Sequence, residues 1–184
     1  MNRVSLERLA NTARAMKAAI LLISALLAIG SIYVVFALVA DPSLQTELIR
    51  NHVTGPNIPV TLDATALTGL CLIATINLTL ILYGLACVWR FASLIRAGRI
   101  FSLQSGNCLR RTGAVALVGA ASMVVSRLLA VLIATVGNPP GQKVLIIGFG
   151  TNEAFLLLLA ALLFGIGHAM VLAAEIDAEN RNFI

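Results

Sequence analysis

Four long runs of apolar residues, separated by short polar connections, dominate the chain. The first covers 16–40 with Lys17 as its only charge, and the second covers 66–88 with none. The third, 112–136, contains Arg127, and the fourth, 152–173, has Glu153 at its start and His168 near its end. A helix needs about 20 apolar residues to cross roughly 30 Å of hydrocarbon. Backbone groups in lipid must be satisfied within the segment, which selects helices over open strands. The pattern predicts a single all-α integral membrane domain over 1–184 with four transmembrane helices. The apolar stretch of the first run is longer than the 7–15 residues of a signal-peptide core, and Ala37-Leu38-Val39-Ala40 lacks the small residue needed for cleavage after Ala40. It reads as a retained anchor.

Composition agrees. Of the 184 residues, 59% are hydrophobic and 11% are charged, whereas soluble domains carry about 25% charged residues. That excludes a soluble enzyme, a disordered chain and a disulfide-rich secreted domain. Cys71, Cys87 and Cys108 form no CxxC or metal-ligand spacing, and three free thiols are expected. No cofactor or metal is expected.

The net charge of +5 resembles a nucleic-acid signal until its placement is read. Arg3, Arg8, Arg14 and Lys17 flank the first span, and Arg90, Arg96, Arg99, Arg110 and Arg111 fill the connection between the second and third. Nine of the 13 basic residues therefore lie on one side. The positive-inside rule puts that side, and both termini, in the cytoplasm. No direct nucleic-acid contact is expected.

The outer connections, 41–65 and 137–151, hold Pro and Gly turn signals. Each ends in a β-like run, Ile58-Pro59-Val60-Thr61-Leu62 and Lys143-Val144-Leu145-Ile146-Ile147. These either pair as a small extracytoplasmic strand pair, stay irregular, or, for the second, lengthen the fourth helix. In the inner connection Gly98 is placed as a helix C-cap and Ser102 as an N-cap. A shift of 97 residues aligns eight identities across 5–42, among them Ser5 with Ser102 and Pro42 with Pro139. It is either chance in an Ala- and Val-rich chain or the trace of two parallel two-helix repeats.

Arg127 is the residue with most chemistry to explain. A charge well inside a span costs at least about 2.5–3.5 kcal/mol, so it is expected to face protein and to have a partner. Counted from the outer helix ends, Asn77 and Ser31 fall at similar depth, and Glu153 begins the fourth helix on that side. Arg127, Asn77, Ser31 and Glu153 are the expected intramembrane polar site, serving as an ion or ligand site or as a helix–helix clamp, the remaining alternative being that Arg127 snorkels to the outer headgroups. His168 is expected to bond a neighbouring helix. The stripe Ala161, Gly165, Ala169 and Ala173, with Ala116 and Ala120 and with Ser122 and Ser126, suits close helix packing within the bundle or a homo-oligomer. No catalytic motif appears, and an enzyme is not expected.

A set of ordered motifs occupies the cytoplasmic side. They are Phe91-x-x-Leu94-Ile95-x-x-Gly98-x-x-Phe101-Ser102, Leu109-Arg110-Arg111-Thr112-Gly113, and Ala173-Ala174-Glu175-x-x-x-Glu179-Asn180-x-x-Phe183-Ile184. In order and spacing they resemble the bacterial four-helix membrane family catalogued as domain of unknown function 2975, across nearly the whole chain. Members of this uncharacterised family are often encoded beside a small helix-turn-helix regulator, and Arg127 is not part of the family pattern. The resemblance implies a multi-pass protein of the bacterial inner membrane and carries over no catalytic residue. Arg96, Gly98, Arg99, Phe101, Arg110, Arg111, Glu179 and Phe183 are the expected cytoplasmic interface. Phe183 is expected to dock near Phe101 beyond a fourth helix that reaches about Glu179. Two functions stay open. One is an accessory or regulatory protein that contacts a larger membrane complex or a cytoplasmic regulator. The other is a small transporter or channel built from the two repeats.

Overall fold

A computed structural model describes residues 3–40, 42–51, 62–99, 102–139 and 150–181. All regular structure among them is helical: α1 (Arg3–Ala40), the short α2 (Pro42–Ile49), α3 (Ala64–Arg96), α4 (Leu103–Thr135) and α5 (Thr151–Arg181). The four long helices are long and apolar enough to cross a membrane. At 1.5 Å per residue, the 33 residues of α3 extend about 50 Å, so its ends pass beyond the hydrocarbon.

The apolar surface points outward. Leu22, Ile29, Phe36, Leu72, Phe155 and Leu158 are all more than half exposed. In water such a surface would drive aggregation; against lipid tails it costs nothing. Hydroxyls within the helices are satisfied on the spot. Thr68, Thr75, Thr79, Thr112 and Thr135 each donate to the carbonyl four residues earlier, at 2.7–3.0 Å. That removes the cost of bare donors in hydrocarbon.

The long helices pack in chain order: α1 on α3, α3 on α4, and α4, most extensively, on α5. The bundle is therefore open, since no substantial contact among the described residues closes α1 against α5. The α4–α5 crossing brings backbone onto backbone. A Cβ at Gly113 would stand 2.7 Å from the Phe164 nitrogen and 2.9 Å from the Ala160 oxygen. One at Gly167 would stand 2.6 Å from the Arg110 nitrogen, and one at Gly106 would meet Val171 at 2.7 Å. Gly106, Gly113 and Ala120 recur every seven residues on α4, as Ala160 and Gly167 do on α5, and all five are buried. Small residues at this spacing form a seam on one helix face.

This corrects the expected packing stripe. Ala161, Gly165, Ala169 and Ala173 are all exposed, and a Cβ at Gly165 would touch nothing within 4 Å. Four-residue spacing located a ladder on the face of α5 turned away from α4. The two halves also pack differently, for Gly30 of α1 meets no neighbour within 4 Å and the glycine crossing has no counterpart at α1–α3.

The strand pair is unsupported, since the described residues contain no strand. Its runs at 58–62 and 143–147 lie outside them except for Leu62, which is irregular. In the connection between α1 and α3, α2 begins at Pro42, as suits a residue with a preset φ at a helix start. The helix caps agree with the sequence. Gly98 has φ +73°, and the Arg99 and Gly98 nitrogens donate to Leu94 and Ile95 at 3.1 and 3.0 Å. These are the two bonds of a Schellman stop. The Ser102 hydroxyl accepts from the Ser105 nitrogen at 3.2 Å and opens α4 without a break before the span. α5 continues to Arg181, slightly past the expected end at Glu179. The docking of Phe183 near Phe101 lies outside the described residues.

Candidate functional site

The four residues expected to converge in the membrane fall into four bonding arrangements, although Asn77, Arg127 and Glu153 line one groove. Asn77 forms the first. Its amide nitrogen donates to the Ser126 hydroxyl at 2.7 Å and to the Ile73 carbonyl at 2.9 Å, while its amide oxygen accepts from Ser122 at 3.1 Å. Ser122 and Ser126 stand one turn apart on α4, so a single Asn on α3 bridges both. Interhelical hydrogen bonds of this kind contribute about 0.6–2 kcal/mol in lipid. The signal was present as the i, i+4 serine pair, read only as a pair of small residues.

Glu153 is buried at the start of α5 and accepts from the Gly150 nitrogen at 2.9 Å. This is half of a capping box, and the carboxylate also lies at the favourable end of the helix dipole. Ser31 donates to the Ala28 carbonyl of its own helix at 2.9 Å. It belongs to α1, which packs on α3 rather than on α4, and so it cannot reach Arg127.

Arg127 differs most from expectation. It is exposed, and among the described residues it makes no hydrogen bond or ion pair. The reason is angular. Successive helix positions turn by about 100°, so placing Ser126 in the α3 seam rotates Arg127 out of it. It follows Ala120 by seven residues, in line with the α5-facing face of α4, on the wall of a groove of about 830 Å³ bounded by α3, α4 and α5. Ile81, Gly84, Gly119, Met123, Leu156 and Leu159 supply apolar walls, and Asn77, Ser126, Arg127 and Glu153 gather the polar groups toward one end. The groove exists because the helices pack only with their chain neighbours.

A second cavity, about 980 Å³, lies at the arginine-rich end. Arg90 and Ser93 of α3 and Gln104, Asn107, Arg110 and Arg111 of α4 line it, with Phe164 of α5. It shares no lining residue with the groove. Its α4 lining, Gln104 to Ala114, lies nearer the start of α4 than Gly119, Met123 and Arg127 of the groove. The Arg110 guanidinium lies over the Phe164 ring, 5.5 Å from its centroid, a geometry that holds the cation in place. Nearby, Lys17 of α1 lies over Trp89 at 4.9 Å.

Of the expected cytoplasmic interface, Arg96, Gly98, Arg99, Arg111 and Glu179 are exposed and Arg110 is half-buried; Phe101 and Phe183 lie outside the described residues. Arg99 also serves through its carbonyl, which accepts from Ser102 at 2.9 Å and from Ser105 at 2.5 Å. His168 is exposed rather than bonded to a neighbouring helix. Cys71, Cys87 and Cys108 are free thiols, and the Cys108 thiol donates to the Cys87 carbonyl at 3.3 Å.

Comparisons with protein-family models, with curated proteins and with solved structures found no match.

Proposed function

We propose that this chain is an accessory protein of the bacterial inner membrane that works by binding a transmembrane segment of a larger membrane protein in the α3–α4–α5 groove. One observation carries the reading: Arg127 stands on a groove open to the bilayer and, among the described residues, makes no hydrogen bond or ion pair, even to Glu153 in the same groove. A lone guanidinium at that depth is costly, and an incoming acidic side chain removes the cost. The occupant is accordingly an apolar helix with an Asp or Glu at the level of Arg127. The unlike packing of α1–α3 and α4–α5 favours this over a transporter built from two repeats. Membership in the family of domain of unknown function 2975, and with it a cytoplasmic regulator as a further partner, belongs to the same proposal.

A photo-reactive residue at Leu159, inside the groove, tests it against one at Leu158, which is 59% exposed outside it. In native membranes the Leu159 probe is expected to crosslink one protein. That crosslink should disappear with Arg127→Leu and with neutralisation of the acidic residue in the crosslinked helix. Crosslinks from Leu159 to lipid alone, or a pattern indifferent to Arg127→Leu, would overturn the reading.

The proposed orientation has both termini and the arginine-rich end in the cytoplasm. With a membrane-impermeant maleimide, Cys108 should be modified only after cells are opened. Its modification in intact cells would reverse the topology.

A further inference from the structure

The cavity at the arginine-rich end has a chemistry that the groove lacks. Three guanidiniums, those of Arg90, Arg110 and Arg111, line it together with the amides of Gln104 and Asn107, and no carboxylate is among its described lining residues. None of the three is engaged in an ion pair among the described residues. Guanidinium forks match phosphate oxygens in pairs, and the amides add neutral donors. The cavity therefore selects a phosphate-bearing anion.

Its position narrows the choice. Toward the membrane its wall continues as Cys87, Ala114 and Phe164. From there α3 has no charge back to Ala64, α4 none until Arg127 and α5 none back to Glu153. Trp89, the kind of ring that settles at headgroup depth, precedes Arg90 on α3 and faces Lys17 of α1. A ligand that reaches the guanidiniums from this side lays an apolar tail along Cys87, Ala114 and Phe164. A soluble phosphate has no such tail, and an acidic peptide would need an acid at every guanidinium without using the apolar wall. Arg110 is already stacked on Phe164, so less of its freedom is lost on binding.

We propose that this cavity is a specific site for the headgroup of an anionic glycerophospholipid, with its phosphodiester held by Arg90, Arg110 and Arg111. The site is separate from the groove and shares no lining residue with it. Bound lipid would bridge α3 to α4 and cover the Cys108 thiol, which also lines the cavity.

Cys108 gives the readout. The full chain is placed in nanodiscs of phosphatidylcholine, or of phosphatidylcholine with phosphatidylglycerol, and treated with an uncharged maleimide; peptides then report each cysteine separately. Cys108 is expected to react at least about tenfold more slowly with phosphatidylglycerol present, and Arg90→Gln and Arg111→Gln should each recover about fivefold of that rate, the worth of one interfacial cation. Arg96→Gln, at the same end but outside the cavity, should leave the protection intact. Inorganic phosphate added to phosphatidylcholine discs should not protect. After detergent exchange, wild-type protein should retain phosphatidylglycerol by mass spectrometry and Arg90→Gln/Arg111→Gln should not. Equal labelling in both lipids overturns the proposal. So does loss of protection with Arg96→Gln, which would mean a general surface-charge effect, or protection by phosphate alone, which would mean a soluble anion.

Discussion

Gly113→Leu is expected to abolish the folded α4–α5 pair, and Gly113→Ala to destabilise it measurably. The added Cβ would stand 2.7 Å from the Phe164 nitrogen and 2.9 Å from the Ala160 oxygen. Both are backbone atoms of a helix that cannot turn aside as a side chain can. Overpacking costs about 1–3 kcal/mol where the surroundings yield. For Gly113→Ala the upper part of that range is expected, because two whole helices must separate. Gly165→Ala on the same crossing helix is the matched control. Its Cβ meets nothing within 4 Å, so only helix propensity changes, a gain of up to about 1 kcal/mol. The two alanines should therefore shift Tm in opposite directions. Thermal unfolding in detergent can be followed through Cys87, which is 4% exposed in the folded chain and becomes reactive when the helices part. Equal shifts for the two variants would contradict the crossing.

Arg127→Leu is expected to stabilise the isolated protein and to disable it. Removing the guanidinium relieves an insertion cost of about 2.5–3.5 kcal/mol and, among the described residues, breaks no hydrogen bond or ion pair. Asn77, Ser122 and Ser126 keep their own network, so the α3–α4 seam should be unchanged. The stability gain would appear as a higher Tm in detergent, and the loss as the missing Leu159 crosslink. Arg127→Lys keeps the charge without the planar fork and should give a weakened crosslink rather than none. A lower Tm for Arg127→Leu would show that the guanidinium has a structural partner within the chain, and the groove would lose its claim to an acidic occupant.

These two residues also show where sequence reading stops. Local patterns fixed the four long helices, because length and hydropathy alone decide whether a segment satisfies its backbone in lipid. The stop at Gly98 and the start at Ser102 were legible for the same reason: capping depends on residues within one turn of the helix end. The three free thiols followed from their spacing. Depth was legible too, since Asn77 and Ser126 do meet across the α3–α4 seam.

What depth could not supply was direction around the helix axis. A soluble helix announces its inner face by its polar outer one, but here lipid-facing and protein-facing positions are equally apolar. Arg127 and Ser126 share a depth and differ by about 100° of rotation, and that angle separates a hydrogen-bonded clamp from a cation on a groove with no bond among the described residues. The same ambiguity chose the wrong stripe on α5. Ala161, Gly165, Ala169 and Ala173 were as small and as regular as Ala160 and Gly167, and only the crossing with α4 shows which set is needed to let two backbones touch. Likewise Arg90, Arg110 and Arg111 counted in the sequence as orientation signals. Folding the Schellman-capped end of α3 against the first turns of α4 makes them one cavity. The sequence by itself determined which segments are long and apolar enough to cross a membrane and where α3 stops, α4 starts and α5 ends, but not the short α2. The tertiary structure decided which face of each helix meets protein, because in lipid that choice rests on backbone approach and seam geometry rather than on hydrophobicity.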